Sequence, residues 1–202
     1  MHMDINLLGF MPALLPVALS PGASFTLVMS SALADGRNGL FRTLAGTALG
    51  IYTHALFIGL GITAIIISSP AVYGFLKIAG TIYLLWLGVM LIRSGLNAKR
   101  NQPKNSVPPI TLKGAWLANV LNPKAIIFYL TVVSQFTGNQ GGVSNYLILA
   151  SVHVVIMSLW LITISRILVF SAQKTNPLML KKYVNIAGGA LLIIFSIRSL
   201  TH

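Results

Sequence analysis

Only 8% of the 202 residues are charged, and those few are gathered between long apolar runs. A soluble domain carries roughly 25% charged residues. A surface this poor in charge needs lipid rather than water around it. At about 20 apolar residues per crossing, the chain has room for about six or seven helices joined by short loops. That leaves no space for a separate catalytic domain. A lipid-exposed backbone must satisfy its own hydrogen bonds, and the alternating pattern of a barrel strand is missing, so the spans are helical.

Six apolar stretches are visible, at about Ile5–Ala34, Leu40–Ser68, Val72–Ile92, Ala115–Phe136, Tyr146–Val169 and Tyr183–Leu200. The cations fall in the gaps. Arg37 and Arg42 flank the first loop. Arg93, Lys99, Arg100, Lys104 and Lys113 populate the third, and Arg166, Lys174, Lys181 and Lys182 the fifth. These eleven face only Lys77 and Arg198 on the other side, which places loops one, three and five in the cytoplasm. The net charge of +12 is thereby explained by topology and anionic membrane lipids, with no nucleic acid partner. The first stretch carries Pro12, Pro16 and Pro21. Read as re-entrant, it would leave five crossings and an inward N-terminus.

The halves of the chain resemble each other. Ser20-Pro21 precedes Asn122-Pro123 by 102 residues, and Gly36-Arg37-Asn38-Gly39 precedes Gly138-Asn139-Gln140-Gly141 by the same interval. Ile78-Ala79-Gly80 precedes Ile186-Ala187-Gly188 by 108. The expected fold is therefore an all-α integral membrane protein, six transmembrane helices as two inverted three-helix repeats. The single domain spans 1–202, with repeat one at about 5–96, a basic linker at about 97–113 and repeat two at about 114–202. An odd number of helices per repeat forces the second copy upside-down, an architecture many secondary transporters share.

Several residues could carry transport. Proline removes a backbone donor and clashes with the preceding turn. Pro21, with Gly22, Ser20 and Ser24 around it, predicts a break near the midplane that exposes N–H groups suited to a carboxylate. Asn122, Pro123 and Lys124 offer an amide and a cation beside a matching break. The plainer reading is a pair of proline kinks in packed helices. Lys124 is an intramembrane cation, hence a functional candidate, unless it snorkels to the interface. His54 and His153 are the histidines within the apolar stretches. Each is either a proton-coupling or gating group or a neutral imidazole bonded between helices. Asp35 either ends a helix and pairs with arginine, or gates the cytoplasmic mouth. Gly46 and Gly50 form a Gly-x-x-x-Gly packing face. No catalytic residue, metal site or cofactor is expected: cysteine is absent, and no P-loop, zinc motif or Gly-x-Ser-x-Gly elbow occurs.

Taken together, these segments resemble the lysine exporter (LysE) superfamily, in particular its branch of threonine and homoserine exporters. The resemblance rests on Pro21-Gly22-Ala23, on Gly36, Gly39, Gly46 and Gly50, on His54, on Trp86-Leu87-Gly88 and on Asn122-Pro123-Lys124. Ala23 stands where the family carries a second proline. The resemblance implies a multi-pass protein of the bacterial inner membrane that exports amino acids or similar small metabolites, driven by the proton gradient. Together with the glycine faces, it is compatible with a homodimer. A lysine or arginine substrate would call for a carboxylate in the pathway. The only acids, Asp4 and Asp35, sit at helix ends, so a neutral amino acid such as threonine, homoserine or leucine is favoured. Export of another small solute or a cation, and a non-transporting membrane scaffold, are the competing readings.

Overall fold

The computed structural model describes residues 5–97, 109–138, 142–174 and 176–201. Asp4, most of the basic linker and Asn139-Gln140-Gly141 lie outside them. Among the described residues all regular structure is helical. The elements are α1 (Leu7–Ala18), α2 (Ala23–Gly59), α3 (Ile62–Ser68), α4 (Pro70–Leu96), α5 (Leu112–Val120), α6 (Pro123–Ile127), α7 (Val143–Lys174) and α8 (Pro177–Thr201). After α6 the chain runs on through a π-helical turn (Phe128–Val132) and a 3₁₀ turn (Val133–Phe136).

By length and composition, Pro70–Leu96, Val143–Ser171 and Leu178–Arg198 can each cross a membrane. Two bent pairs raise the number to five if each is one span. The first joins α1 to α2 at 59°, and the second joins α5 to Pro123–Phe136 at 57°. These are the two predicted proline sites. Local chemistry explains both. Asn122 caps α6 by accepting the Lys124 N–H at 3.1 Å, and Pro123 fills the first helical position, where a missing N–H costs nothing. At the other break Ser20 and Pro21 leave the helix, and extended Gly22 starts α2 with no side-chain cap.

Two expected segment limits differ from what the sequence suggests. The first loop is a tight turn within α2, at Asp35 and Gly36, where Gly36 takes φ +57°. Gly39 then lies directly against the Ser31 backbone carbonyl. Eight residues along a straight helix would separate these by about 12 Å, so the chain doubles back. Arg37 and Arg42 therefore ride on the returning helix rather than in a loop. The stretch read as Leu40–Ser68 is also interrupted, at Leu60-Gly61, because Gly61 adopts φ +74°.

Packing relies on glycine. Gly46 lies on the Leu112 carbonyl and Ala115, and Gly50 lies on the Asn119 side chain, so α2 and α5 approach closely. Between α4 and α8, a Cβ on Gly88 would come within 2.9 Å of the Gly189 carbonyl, and one on Gly189 within 2.5 Å of the Gly88 carbonyl. The two Ile-Ala-Gly glycines behave reciprocally. Gly80 sits on the Leu121 carbonyl at the second break, and Gly188 sits on Thr26 just past the first. These glycine faces are occupied within the chain, so any homodimer uses another surface. Fully buried Asn185 adds a polar tie, accepting from Ser30 at 2.8 Å and donating to Ser94 at 3.2 Å. Outside, α4 exposes Phe75, Ile78, Ile82 and Trp86 along one stripe, a surface suited to lipid.

Gly189→Leu should force α4 and α8 apart and destabilise the fold by about 1–3 kcal/mol, the usual cost of overpacking. Thermal unfolding in detergent, compared with substitution at exposed Ile194, measures it.

Candidate functional site

The two breaks meet. Lys124 Nζ, from the second break, donates to Ser20 Oγ at 2.8 Å, and Ser20 Oγ donates to the Val17 carbonyl at 3.0 Å. Residues 104 apart in sequence thus join end to end. Behind this link lies a cavity of about 70 Å³. Ser20, Gly22, Ser24, Asn122 and Lys124 line it, as do Asn119, Tyr129 and His153. On the other side of Lys124 opens a groove of about 570 Å³, walled by Leu84, Ile127, Phe128 and Phe195 and carrying Lys77 and Arg198 near Thr81 and Thr131. Gly22, Ala23, Asn122, Lys124, Phe128 and Val17 border both spaces.

Electrostatically, this junction favours an anion. The α2 N-terminus presents the N–H groups of Ala23, Ser24 and Phe25 with no side-chain cap, and all three residues line the cavity. The positive end of the helix dipole adds to them. An alanine at position 23 keeps a backbone donor that a proline would lack. Lys124 supplies a full charge. Pro21 is exposed and borders neither space, so its part is to break the helix, whereas buried Pro123 forms a wall of the groove.

Deeper in, aromatic rings form a column. The Tyr129 ring lies between His54 and His153, with centroids 5.9 Å from each and interplanar angles of 25° and 19°. The Tyr129 hydroxyl shares a 3.2 Å hydrogen bond with His153 Nδ1. His54 Nε2 lies 3.1 Å from the Asn119 carbonyl. A carbonyl can only accept, so this Nε2 carries a hydrogen. Both histidines are buried, and the column joins α2 to the π-helical turn and α7.

Asp35 is elsewhere. It pairs with Arg42 Nη2 at 2.9 Å in the turn of α2, while Arg42 Nε donates to the Ile110 carbonyl at 2.9 Å. Both ionic groups are partly exposed. Among the described residues no group of three metal-ligating side chains occurs.

Sequence reasoning missed Asn119 and Tyr129. Asn119 had a signal, as an amide within an apolar stretch three residues before Asn122. Tyr129 had none, because its direction depends on the π-helical turn, which puts one extra residue into the helix.

Residues 15–202 match the LysE type translocator family. The chain is 27% identical to YrhP, a membrane protein of Bacillus subtilis, over 96% of this chain and 98% of the relative. A threonine efflux protein of Salmonella typhimurium is 28% identical over 89% of each chain. A homoserine/homoserine lactone efflux protein of the same organism is 29% identical over 69% of each. No solved structure matches. The chain belongs to the LysE type translocator family, and it is a multi-pass membrane transporter rather than an enzyme.

Proposed function

We propose that the protein exports neutral amino acids across a bacterial inner membrane, in exchange for protons. The observation that carries this reading is the Lys124–Ser20 link across the two helix breaks, with uncapped N–H groups beside it. A substrate carboxylate takes the place of Ser20 on Lys124 and draws on the α2 N-terminus. Charge-assisted bonds of this kind are the strong ones. Threonine, homoserine and leucine fit a cavity lined, among the described residues, by no acidic side chain: Asp35 is held by Arg42 in a turn, and Asp4 lies outside the described residues. The efflux activities that the relatives' names state point the same way.

Six spans follow when residues 23–34 and 37–59 are counted separately on either side of the Asp35 turn. The first is α1 with 23–34, the second 37–59, the third α4, the fourth α5 through Phe136, and the last two α7 and α8. A bend of 59° redirects α1 without reversing it, which favours a broken span over a re-entrant loop. Near-equal bends and the reciprocal Gly80 and Gly188 contacts support two inverted repeats. Loops one, three and five then face the cytoplasm.

The cavity of about 70 Å³ is far below the roughly 300 Å³ at which ligand pockets usually begin. A whole amino acid does not fit in the cavity alone and has to extend into the adjoining groove. His54 and His153 are the titratable pair for coupling, with Tyr129 between them to carry a proton by its hydroxyl.

In proteoliposomes, Lys124→Ala should lower kcat/KM for the amino acid by about tenfold or more, the value of a charge-assisted bond. Wild-type kinetics would sink the carboxylate site. His153→Gln should leave exchange of labelled for unlabelled amino acid running while abolishing the response to an imposed pH gradient. A retained response would clear His153 of coupling. The chain contains no cysteine, so Asn38→Cys, Ser69→Cys and Asn176→Cys can be labelled in an otherwise native protein. Positions 38 and 176 should react from the cytoplasmic side and 69 from the other.

A further inference from the structure

Asn119 lines the cavity, and its buried amide oxygen lacks a hydrogen-bond partner among the described residues. The residue is only 6% exposed. Its other polar atoms are engaged. The carbonyl accepts from His54, and Nδ2 reaches Ser24 Oγ at 3.4 Å, a long and weak contact. Oδ1 lies over Gly50, where any side chain would collide with it, so the notch that admits this amide offers it nothing to bond. A buried acceptor left unmade costs about 1–3 kcal/mol, and such a group in a native fold calls for an explanation.

The shape of the two spaces supplies one. A cavity of about 70 Å³ holds roughly two water-sized groups, at about 30 Å³ each in the liquid. It is too small for a whole amino acid but large enough for an ammonium group. The groove across Lys124 is about eight times larger and mostly apolar. The uncapped N–H groups and Lys124 lie at the junction. One tetrahedral carbon placed there can send its ammonium group inward, its carboxylate to Lys124 and its side chain outward into the groove.

We propose that Asn119 is the residue that recognises the substrate's α-amino group, its Oδ1 turning into the cavity to accept from the ammonium, with Ser24 Oγ as a second acceptor. This rests on the carboxylate site described above and adds the other end of the zwitterion. Asn119 then sets specificity: a carboxylate lacking the amine leaves Oδ1 unmade. Sites built to hydrogen-bond a polar group reject analogues without it far more strongly than apolar pockets reject a missing methylene. The groove side chains, by contrast, tell one neutral side chain from another only weakly.

The test is competition in proteoliposomes. Labelled threonine, homoserine and leucine are screened, and the best-moved one is competed by itself and by its des-amino acid (3-hydroxybutyrate, 4-hydroxybutyrate or 4-methylpentanoate). Wild type should prefer the amino acid by about tenfold or more. Asn119→Leu should bring that ratio close to one, while Asn119→Asp, which keeps two acceptors, preserves it. Size-exclusion profiles report folding, and Asn119→Ala, which also removes the acceptor, serves as a smaller replacement if the leucine variant misfolds. A ratio unchanged in Asn119→Leu or Asn119→Ala, with both competitors weakened alike, reduces Asn119 to packing and overturns the proposal alone. Wild type that moves none of the three amino acids removes the amino acid reading, and this inference falls with it.

Discussion

A backbone in hydrocarbon must satisfy every N–H and C=O it carries, and that requirement organises this fold. Continuous helix meets it at every residue. A break does not, and each costs unpaired groups in a medium that offers no water. Among the described residues the helix nevertheless breaks at Ser20–Gly22 and at Asn122, is interrupted at Leu60–Gly61, and turns sharply at Asp35–Gly36. The second break is partly repaired by its own sequence, since Asn122 accepts from Lys124 N–H. The first is left open, and the cavity lies there. Irregular backbone is tolerated where it lines a polar space, so an uncapped helix start and a cavity are two aspects of one arrangement.

The other contacts arrange themselves around these openings. Gly80 brings α4 against Leu121 at the second break, and Gly188 brings α8 against Thr26 just past the first. Gly46 and Gly50 seat α5 on α2, which places the Asn119 carbonyl within reach of His54. The π-helical turn after α6 carries Tyr129 between two histidines from distant parts of the sequence. The glycine contacts depend on close backbone approach, which only small residues allow.

Much of this was legible in the sequence, and the physical reason is local. Proline beside glycine or asparagine in an apolar run can mean little except a break or kink, so both breaks were readable, as was the packing role of Gly46 and Gly50. The pairing of Asp35 with arginine was also readable, although its partner proved to be Arg42, seven residues on along the returning helix. Long-range geometry was less so. That Lys124 reaches Ser20 depends on both bend angles, and that Tyr129 faces His153 depends on one extra residue in a turn. Neither leaves a periodic trace. The interruption at Gly61 was missed because a single glycine inside an apolar run looks the same whether it packs or turns. Most of the linker and Asn139-Gln140-Gly141 lie outside the described residues.

The α4–α8 seam has a consequence for motion. At Gly88 and Gly189 the backbone of one helix meets the backbone of the other, with the branched side chains of Ile92 and Ile193 packed alongside and little room to change rotamer. Such a seam has a single way to fit together. If the transporter rocks between two shapes, these two helices travel as one body, and the give must lie at joints whose backbone is already free of helical bonds. The seam thus acts as the keel of the molecule: the part that stays stiff so that the hinges on either side have something to work against.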